Sequence, residues 1–183
     1  MDYFEITVKT LLESEGYWVR QSFKVNLTKE EKRKIGKPSI PRPEIDLLAY
    51  KPKINIMYAV EAKSFLDSPG VRVTELSETH ENPEGRYKLF TCKNYRSIVF
   101  ERLKQDLIEC GMGNERTEII LGLAAGNVYQ SKTREIRSLF QKEGWLFWSP
   151  EDIRKKVISL ADKGYENEPS IITAKILMRG RCI

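Results

Sequence analysis

Asp46, Glu61 and Lys63 are the residues of this 183-residue chain whose types and spacing offer chemistry. Each stands in or beside an apolar segment. Ile45, Leu47 and Ala49 alternate with Glu44, Asp46, Leu48 and Tyr50, and Ile54, Ile56 and the run 57–60 lead into Glu61-Ala62-Lys63. Lys51-Pro52-Lys53 separates the two segments, so the pattern predicts a strand–turn–strand hairpin. Ionisable groups in such strands are costly to bury unless they are paired or hold a metal.

Parity decides whether the three can meet. Side chains alternate faces with period two, so Glu61 and Lys63 share a face. Asp46 joins that face when the connecting loop holds an even number of residues. A two-residue loop, Pro52-Lys53, sets Asp46 diagonal to Glu61; a four-residue loop, 52–55, sets them directly opposite, with Cβ atoms about 5 Å apart. Two-residue hairpins favour turns with positive φ, which proline cannot adopt. A type I turn accepts Pro52 at its second position. The four-residue loop is therefore expected, with a bulge near Pro43 as the feature that would alter the register.

Two carboxylates and a lysine on one sheet face suit Mg²⁺, a hard cation that takes oxygen ligands and keeps several waters. Such a metal polarises a phosphate and lowers the pKa of a bound water, while the lysine orients that water or offsets phosphate charge. Asp46 followed fifteen residues later by Glu61-x-Lys63 resembles the active-site signature of the PD-(D/E)XK, or restriction-endonuclease-like, nucleases. The usual Pro-Asp dipeptide is absent. Pro43 precedes Asp46 by three residues with Glu44 between them, which leaves Glu44 as a rival or additional ligand.

The N-terminal segment extends the resemblance. Residues 2–15 read as an amphipathic helix with Phe4, Val8, Leu11 and Leu12 on one stripe and Gly16 as its stop. At about 100° per residue, Glu5 falls at the border of that stripe, where a carboxylate can look across the seam at a sheet. Phe4-Glu5-x-x-Val8…Leu11-Leu12…Gly16-Tyr17 is similar to the first helix of Mrr-type restriction enzymes and archaeal Holliday-junction resolvases. The resemblance implies a metal site of Glu5, Asp46, Glu61 and the Ala62 carbonyl, filled by Mg²⁺ with Mn²⁺ as substitute, and Lys63 positioning the attacking water. An N-terminal glutamate is also favoured by the helix dipole alone.

The remaining elements must position these groups. A strand is expected over 17–27, a long polar stretch over 28–43, a second irregular stretch over 67–95, and a helix over 96–110. Glu118 to Ala125 reads as a buried strand, 130–143 as a helix with Ile136, Leu139 and Phe140 inward, and 145–148 as a short strand. Trp145, Phe147 and Trp148 suit core packing better than base stacking. Ser149-Pro150-Glu151-Asp152 opens a further helix, and another spans about 170–178. The order α-β-β-β-α-β-α-β predicts an α/β fold, a central mixed sheet flanked by helices. It is also the core order of the restriction-endonuclease-like fold. A nuclease domain of residues 1–150 is expected, with residues 151–183 as a helical C-terminal extension packed on it.

Composition limits the partners. The chain is 40% hydrophobic and 31% charged with net charge +5, large enough for one domain with a real core. No eighteen-residue apolar run exists, so no membrane partner is expected, and the first residues lack the pattern of a signal peptide. Cys92, Cys110 and Cys182 are scattered, which suits reduced thiols in a cytoplasm. The single histidine, His80, lies in an acidic stretch and supports neither a triad nor a zinc hydrolase. No P-loop or Rossmann fingerprint indicates a small-molecule cofactor. Lys29, Lys32, Arg33, Lys34 and Lys37 crowd the segment before the hairpin, and Arg86, Lys88, Lys93, Arg96, Arg102 and Lys104 form a second basic region. The first group, with Arg96 and Arg102, is expected to hold DNA phosphates.

The expected function is thus a Mg²⁺-dependent endonuclease acting on DNA. The alternatives are a structure-specific nuclease of the junction-resolvase type, a non-catalytic DNA-binding subunit of the same fold, and a structural protein with a local salt-bridge cluster. Cutting two strands with one site per protomer calls for a homodimer.

Overall fold

The structure, a computed structural model, describes residues 2–180. Its centre is a five-stranded mixed sheet in the order β1-β2-β3-β4-β5. Strands β1 (Trp18–Lys24), β2 (Glu44–Lys51) and β3 (Ile56–Lys63) form an antiparallel meander; β4 (Glu118–Ala125) and β5 (Leu146–Trp148) continue it in parallel. The long helices are α1 (Tyr3–Ser14), α5 (Lys93–Glu109), α6 (Thr133–Glu143), α7 (Pro150–Ser159) and α8 (Pro169–Met178). Three short helices fall where irregular chain was expected: α2 (Lys29–Lys34), α3 (Val73–Ser77) and α4 (Lys88–Thr91).

Two core layers cover the sheet. On one face, Met57, Ala59, Leu121 and Leu123 pack against Val99, Leu103 and Leu107 of α5 and Ile136 and Phe140 of α6. On the other, Leu47, Ala49, Val60 and Ala62 pack against Phe4, Val8, Leu11 and Leu12 of α1 and Ile153 of α7. Ile171 and Ala174 of α8 join this second layer, so the C-terminal helices share a core with the first helix. Each fully buried leucine or phenylalanine contributes about 1.5–3 kcal/mol, enough to fix α1, and with it Glu5, against the sheet. Phe147 and Trp148 are buried, and Trp145 packs on Phe140 and Phe90, each at 5.4 Å between centroids; these aromatics are core.

Two departures from the expected boundaries have physical causes. The first strand ends at Lys24 rather than at 27 because Val25 comes opposite Pro43. Val25 donates its N–H to the Pro43 carbonyl at 2.9 Å, but Pro43 has no N–H to return. The polar stretch 28–43 contains α2 because Thr28 and Glu31 form a reciprocal capping box, a pattern already present in the sequence. Among the described residues, no helix is long and apolar enough to cross a membrane.

Candidate active site

The β2–β3 ladder runs from Lys51↔Ile56 to Leu47↔Val60. Its turn is the four-residue loop expected: Pro52–Ile54 form one 3₁₀ turn, and Asn55 closes it with φ 55°. That register aligns Asp46 with Glu61. There the two strands part. Ala62 would next pair with Ile45, but its N–H instead donates to Asp46 Oδ2 at 2.9 Å. Alternation breaks at the same place. Ile45 and Leu47, two residues apart, lie in different core layers. Ser22, which faces Asp46 across the β1–β2 register, has φ 52°. A left-handed serine costs on the order of 1–3 kcal/mol, and here it accompanies the fork.

Asp46 therefore lies in the hydrogen-bonding plane of the sheet, between its two faces. From one face comes Lys63, whose Nζ is 2.7 Å from Glu61 Oε2 and 3.4 Å from Asp46 Oδ2. The side chains of Glu61, Asp46 and Lys63 are 15%, 19% and 24% exposed, so the trio is largely shielded yet reachable. From the other face comes α1. Its Asp2 caps the first turn by accepting the Phe4 N–H at 3.1 Å, and Glu5 follows within that turn.

The electrostatics follow from three carboxylates sharing one ammonium. Burial raises the Glu61 pKa above the usual glutamate range; Lys63 pulls it down, while Asp46 and Glu5 push it up, and the net shift is upward. Burial and then the Asp46 charge raise Glu5 as well. Burial alone would lower Lys63, but the Glu61 and Asp46 carboxylates outweigh it and hold the ammonium more firmly protonated. With all groups ionised the site carries two surplus negative charges.

These residues fit a hard divalent cation by donor type and by charge. Asp46 and Glu61 offer carboxylate oxygens. The Ala62 carbonyl points to the same side as its N–H, into the fork beside Asp46, while the neighbouring Lys63 carbonyl turns the other way to accept the Gly126 N–H at 2.8 Å. Among the described residues, no three His, Cys, Asp or Glu side chains stand close enough to hold a metal ion. Glu5 is thus within electrostatic reach of the pair but does not complete a cage. Mg²⁺ is commonly held by one or two carboxylates plus waters and substrate phosphate, and the pair meets that requirement. Glu44, the rival ligand, is turned toward Lys24, at 3.8 Å.

Glu61 and Lys63 open onto a cleft of about 510 Å³. Its walls include Arg42 and Pro43 from the chain entering β2, and Arg86, Tyr87, Lys88 and Tyr95 from the segment leading into α5. Burial pushes the Tyr87 and Tyr95 phenols up to about 12, with Glu61 contributing to both. The proximity of this segment to the hairpin had no signature in the sequence beyond its turn residues and basic character.

The expected phosphate-holding residues divide. Arg102 is locked to Glu31 of α2, with Nη2–Oε1 at 2.7 Å. Arg96 donates to the carbonyls of Leu89 and Phe90 at 2.8 and 3.0 Å and stacks over Trp145. Lys37 donates to the Pro83 carbonyl at 2.8 Å. These three hold the fold. Lys29, Arg33 and Lys34 are exposed and Lys32 partly so, and none of these four has a carboxylate partner among the described residues. The carbonyl of Lys34 accepts from Asn94 at 3.0 Å, which places the end of α2 beside the cleft wall at Tyr95.

Comparison with protein-family models, curated proteins and solved structures finds no match for the chain.

Proposed function

We propose that the protein is a metal-dependent nuclease of the restriction-endonuclease-like class, hydrolysing DNA phosphodiester bonds at the fork between β2 and β3. One observation carries this: Asp46 and Glu61 share Lys63 at 3.4 and 2.7 Å while Asp46 occupies the hydrogen-bonding position vacated by its own strand. The α-β-β-β-α-β order of the long elements and the mixed sheet support the same class.

A contrast within the molecule argues against a merely structural cluster. Glu31 pairs with Arg102 at 2.7 Å, and although burial raises its pKa, that partner and the capping hydrogen bonds bring it below the usual range. Glu61 meets Lys63 at the same distance, yet its pKa is raised. Burial is the first cause of the rise at Glu61, and the Asp46 and Glu5 charges add to it, whereas Glu31 has a cation and capping donors beside it. Buried carboxylates with like-charged neighbours in a cleft are common at functional sites.

A Mg²⁺ bound at Asp46 and Glu61 would supply Lewis acidity and a water of lowered pKa. Lys63, protonated in the free protein, donates a hydrogen bond to a phosphate oxygen or to the attacking water. Glu5 adds negative charge from the second face, which strengthens cation binding. The Asp46–Ala62 hydrogen bond keeps the carboxylate in place before substrate arrives, which limits reorganisation during the reaction. Two protomers acting together would cut both strands of a duplex.

The test is incubation of the protein with supercoiled plasmid, linear duplex and a four-way junction, with and without Mg²⁺ or Mn²⁺, beside the variants Asp46→Asn and Glu61→Gln. Metal-dependent cutting that both variants abolish is expected. Wild-type cutting by either variant, after repurification, overturns the assignment.

A further inference from the structure

The cleft beside the site holds two features that the proposed chemistry has not used. Arg86 and Lys88, both lining it, have no carboxylate partner and donate no hydrogen bond among the described residues; Arg86 rests 5.8 Å from the centroid of Phe65, near the end of β3. Between them, Tyr87 is 3% exposed, and its hydroxyl is buried with no hydrogen-bond partner among the described residues. A phenol in that condition is unusual, because buried hydroxyls nearly always find a partner.

Tyr87 is held firmly. Its carbonyl accepts from the N–H groups of Phe90 and Thr91 at 2.8 and 2.9 Å and from the Thr91 hydroxyl at 3.1 Å, and its ring meets Phe90 edge-on at 6.2 Å. It lines both the cleft that contains Glu61 and Lys63 and an adjoining one of about 690 Å³. A donor without an acceptor, flanked in sequence by two cations and lining the same cleft as Glu61 and Lys63, is a suitable cradle for an anionic oxygen. The volume is in the range that admits a small-molecule-sized group, a single nucleotide rather than a duplex.

We infer that the substrate strand reaches the fork through this cleft, a backbone phosphate being held by Arg86 and Lys88 and accepting a hydrogen bond from the Tyr87 hydroxyl. The inference rests on the nuclease reading for its chemistry but makes a separate claim about binding. Arg86 and Lys88 act as electrostatic anchors, and Tyr87 positions the phosphate against Lys63.

The experiment uses the full chain in three variants: Tyr87→Phe, Arg86→Ala with Lys88→Ala, and Arg154→Ala with Lys155→Ala. The last pair is exposed on α7, which packs on the opposite sheet face, and serves as the control. Affinity for a labelled duplex, a four-way junction and a single strand is measured over a salt series in Ca²⁺, and single-turnover cleavage at saturating protein in Mg²⁺. The Arg86/Lys88 variant should bind about ten-fold more weakly. Its log–log salt slope should shrink by about 0.7–0.9 for each phosphate no longer neutralised, while the control is unchanged. Tyr87→Phe should keep affinity within two-fold, cut at least ten-fold more slowly, and melt no lower than the wild type, because the hydroxyl it removes has no partner among the described residues. Unchanged affinity and slope in the Arg86/Lys88 variant, or a wild-type rate or a lowered Tm in Tyr87→Phe, would overturn the inference. Wild-type protein that binds DNA through Arg86 and Lys88 but cuts nothing would sink the nuclease reading and leave the binding path standing; protein that does not bind DNA ends both.

Discussion

Asp46 and Ala62 are joined side chain to backbone across two strands that no longer pair: Asp46 Oδ2 accepts the Ala62 N–H at 2.9 Å. The bond does two things at once. It satisfies a strand donor that separation of β2 from β3 would otherwise leave without a partner, and it fixes a carboxylate where both faces of the sheet can reach it. Lys63 approaches from one face and Glu5 from the other. A continuous ladder would leave no such opening.

Asp46 variants should separate these two roles. Asparagine keeps an acceptor oxygen for the Ala62 N–H but loses the charge, so Asp46→Asn should fold normally and lose cleavage by on the order of 100-fold or more. Asp46→Ala loses both, and the stranded N–H should cost about 1–3 kcal/mol of stability. Chemical denaturation of both proteins beside single-turnover rates checks this. Equal stability of the two variants would show that the hydrogen bond contributes nothing.

Glu5 should trade stability against activity. Its pKa is raised by burial and then by Asp46, so its ionised form costs the folded state free energy above the usual glutamate pKa of about 4.3. Stability tied to its protonated form is present at low pH and lost as pH rises through the raised folded value. Glu5→Gln should therefore be more stable at pH 7 by on the order of 0.5 kcal/mol, a gain that disappears in acid, and should need more Mg²⁺ for cleavage. Thermal melts at pH 7 and pH 3.5 with a Mg²⁺ titration of rate test both halves.

How much of this was legible in the chain depends on the range of the signal. The hairpin register was legible because Pro52 excludes the tight primed turn, and the observed loop is the four-residue one. The α1 stripe was legible because Phe4, Val8, Leu11 and Leu12 repeat at helical spacing, and all four are buried. The fork was not: Ser22 is an ordinary strand residue in sequence, and nothing local to it marks the φ of 52° that it adopts opposite Asp46. The fate of Arg96 and Arg102 was equally hidden, because charge composition does not reveal which cations meet carbonyls or carboxylates 71 residues away. Helix α2 was legible but missed, since Thr28-x-x-Glu31 is a capping box.

The Glu31–Arg102 pair, which joins α2 to α5, should make that junction sensitive to acid. Burial opposes ionisation of Glu31, but its hydrogen bonds to Arg102 and Thr28 outweigh that and depress its pKa. Its stabilising contribution is thus full above the unfolded value of about 4.3 and lost as pH falls through the lower folded value. Both side chains are at most 20% exposed, so the pair exceeds a surface bridge in worth. Glu31→Gln should destabilise by about 1–2 kcal/mol at pH 7 and by much less at pH 3. A difference that persists at pH 3 would mean that the loss lies in packing rather than charge.

The final prediction separates holding the substrate from cutting it. Lys29, Lys32 and Lys34 of α2 face outward, and the end of that helix is tied to the cleft wall through Asn94 and Lys34 at 3.0 Å. They can meet phosphates flanking the cleft but stand outside the Asp46–Glu61–Lys63 cluster. Neutralising all three should weaken DNA binding and flatten its salt dependence by about 0.9 log units for each duplex phosphate that goes unneutralised, while the rate from the fully bound complex stays within two-fold. Lys63→Ala should do the reverse. It removes the only ammonium within 4 Å of Asp46 and Glu61 among the described residues, so cleavage should be lost with affinity held within a few-fold. The measurement is a binding isotherm over a salt series in Ca²⁺ beside single-turnover rates in Mg²⁺. If the α2 variant keeps both affinity and salt slope, that helix carries charge for solubility alone, and the binding face is confined to the cleft.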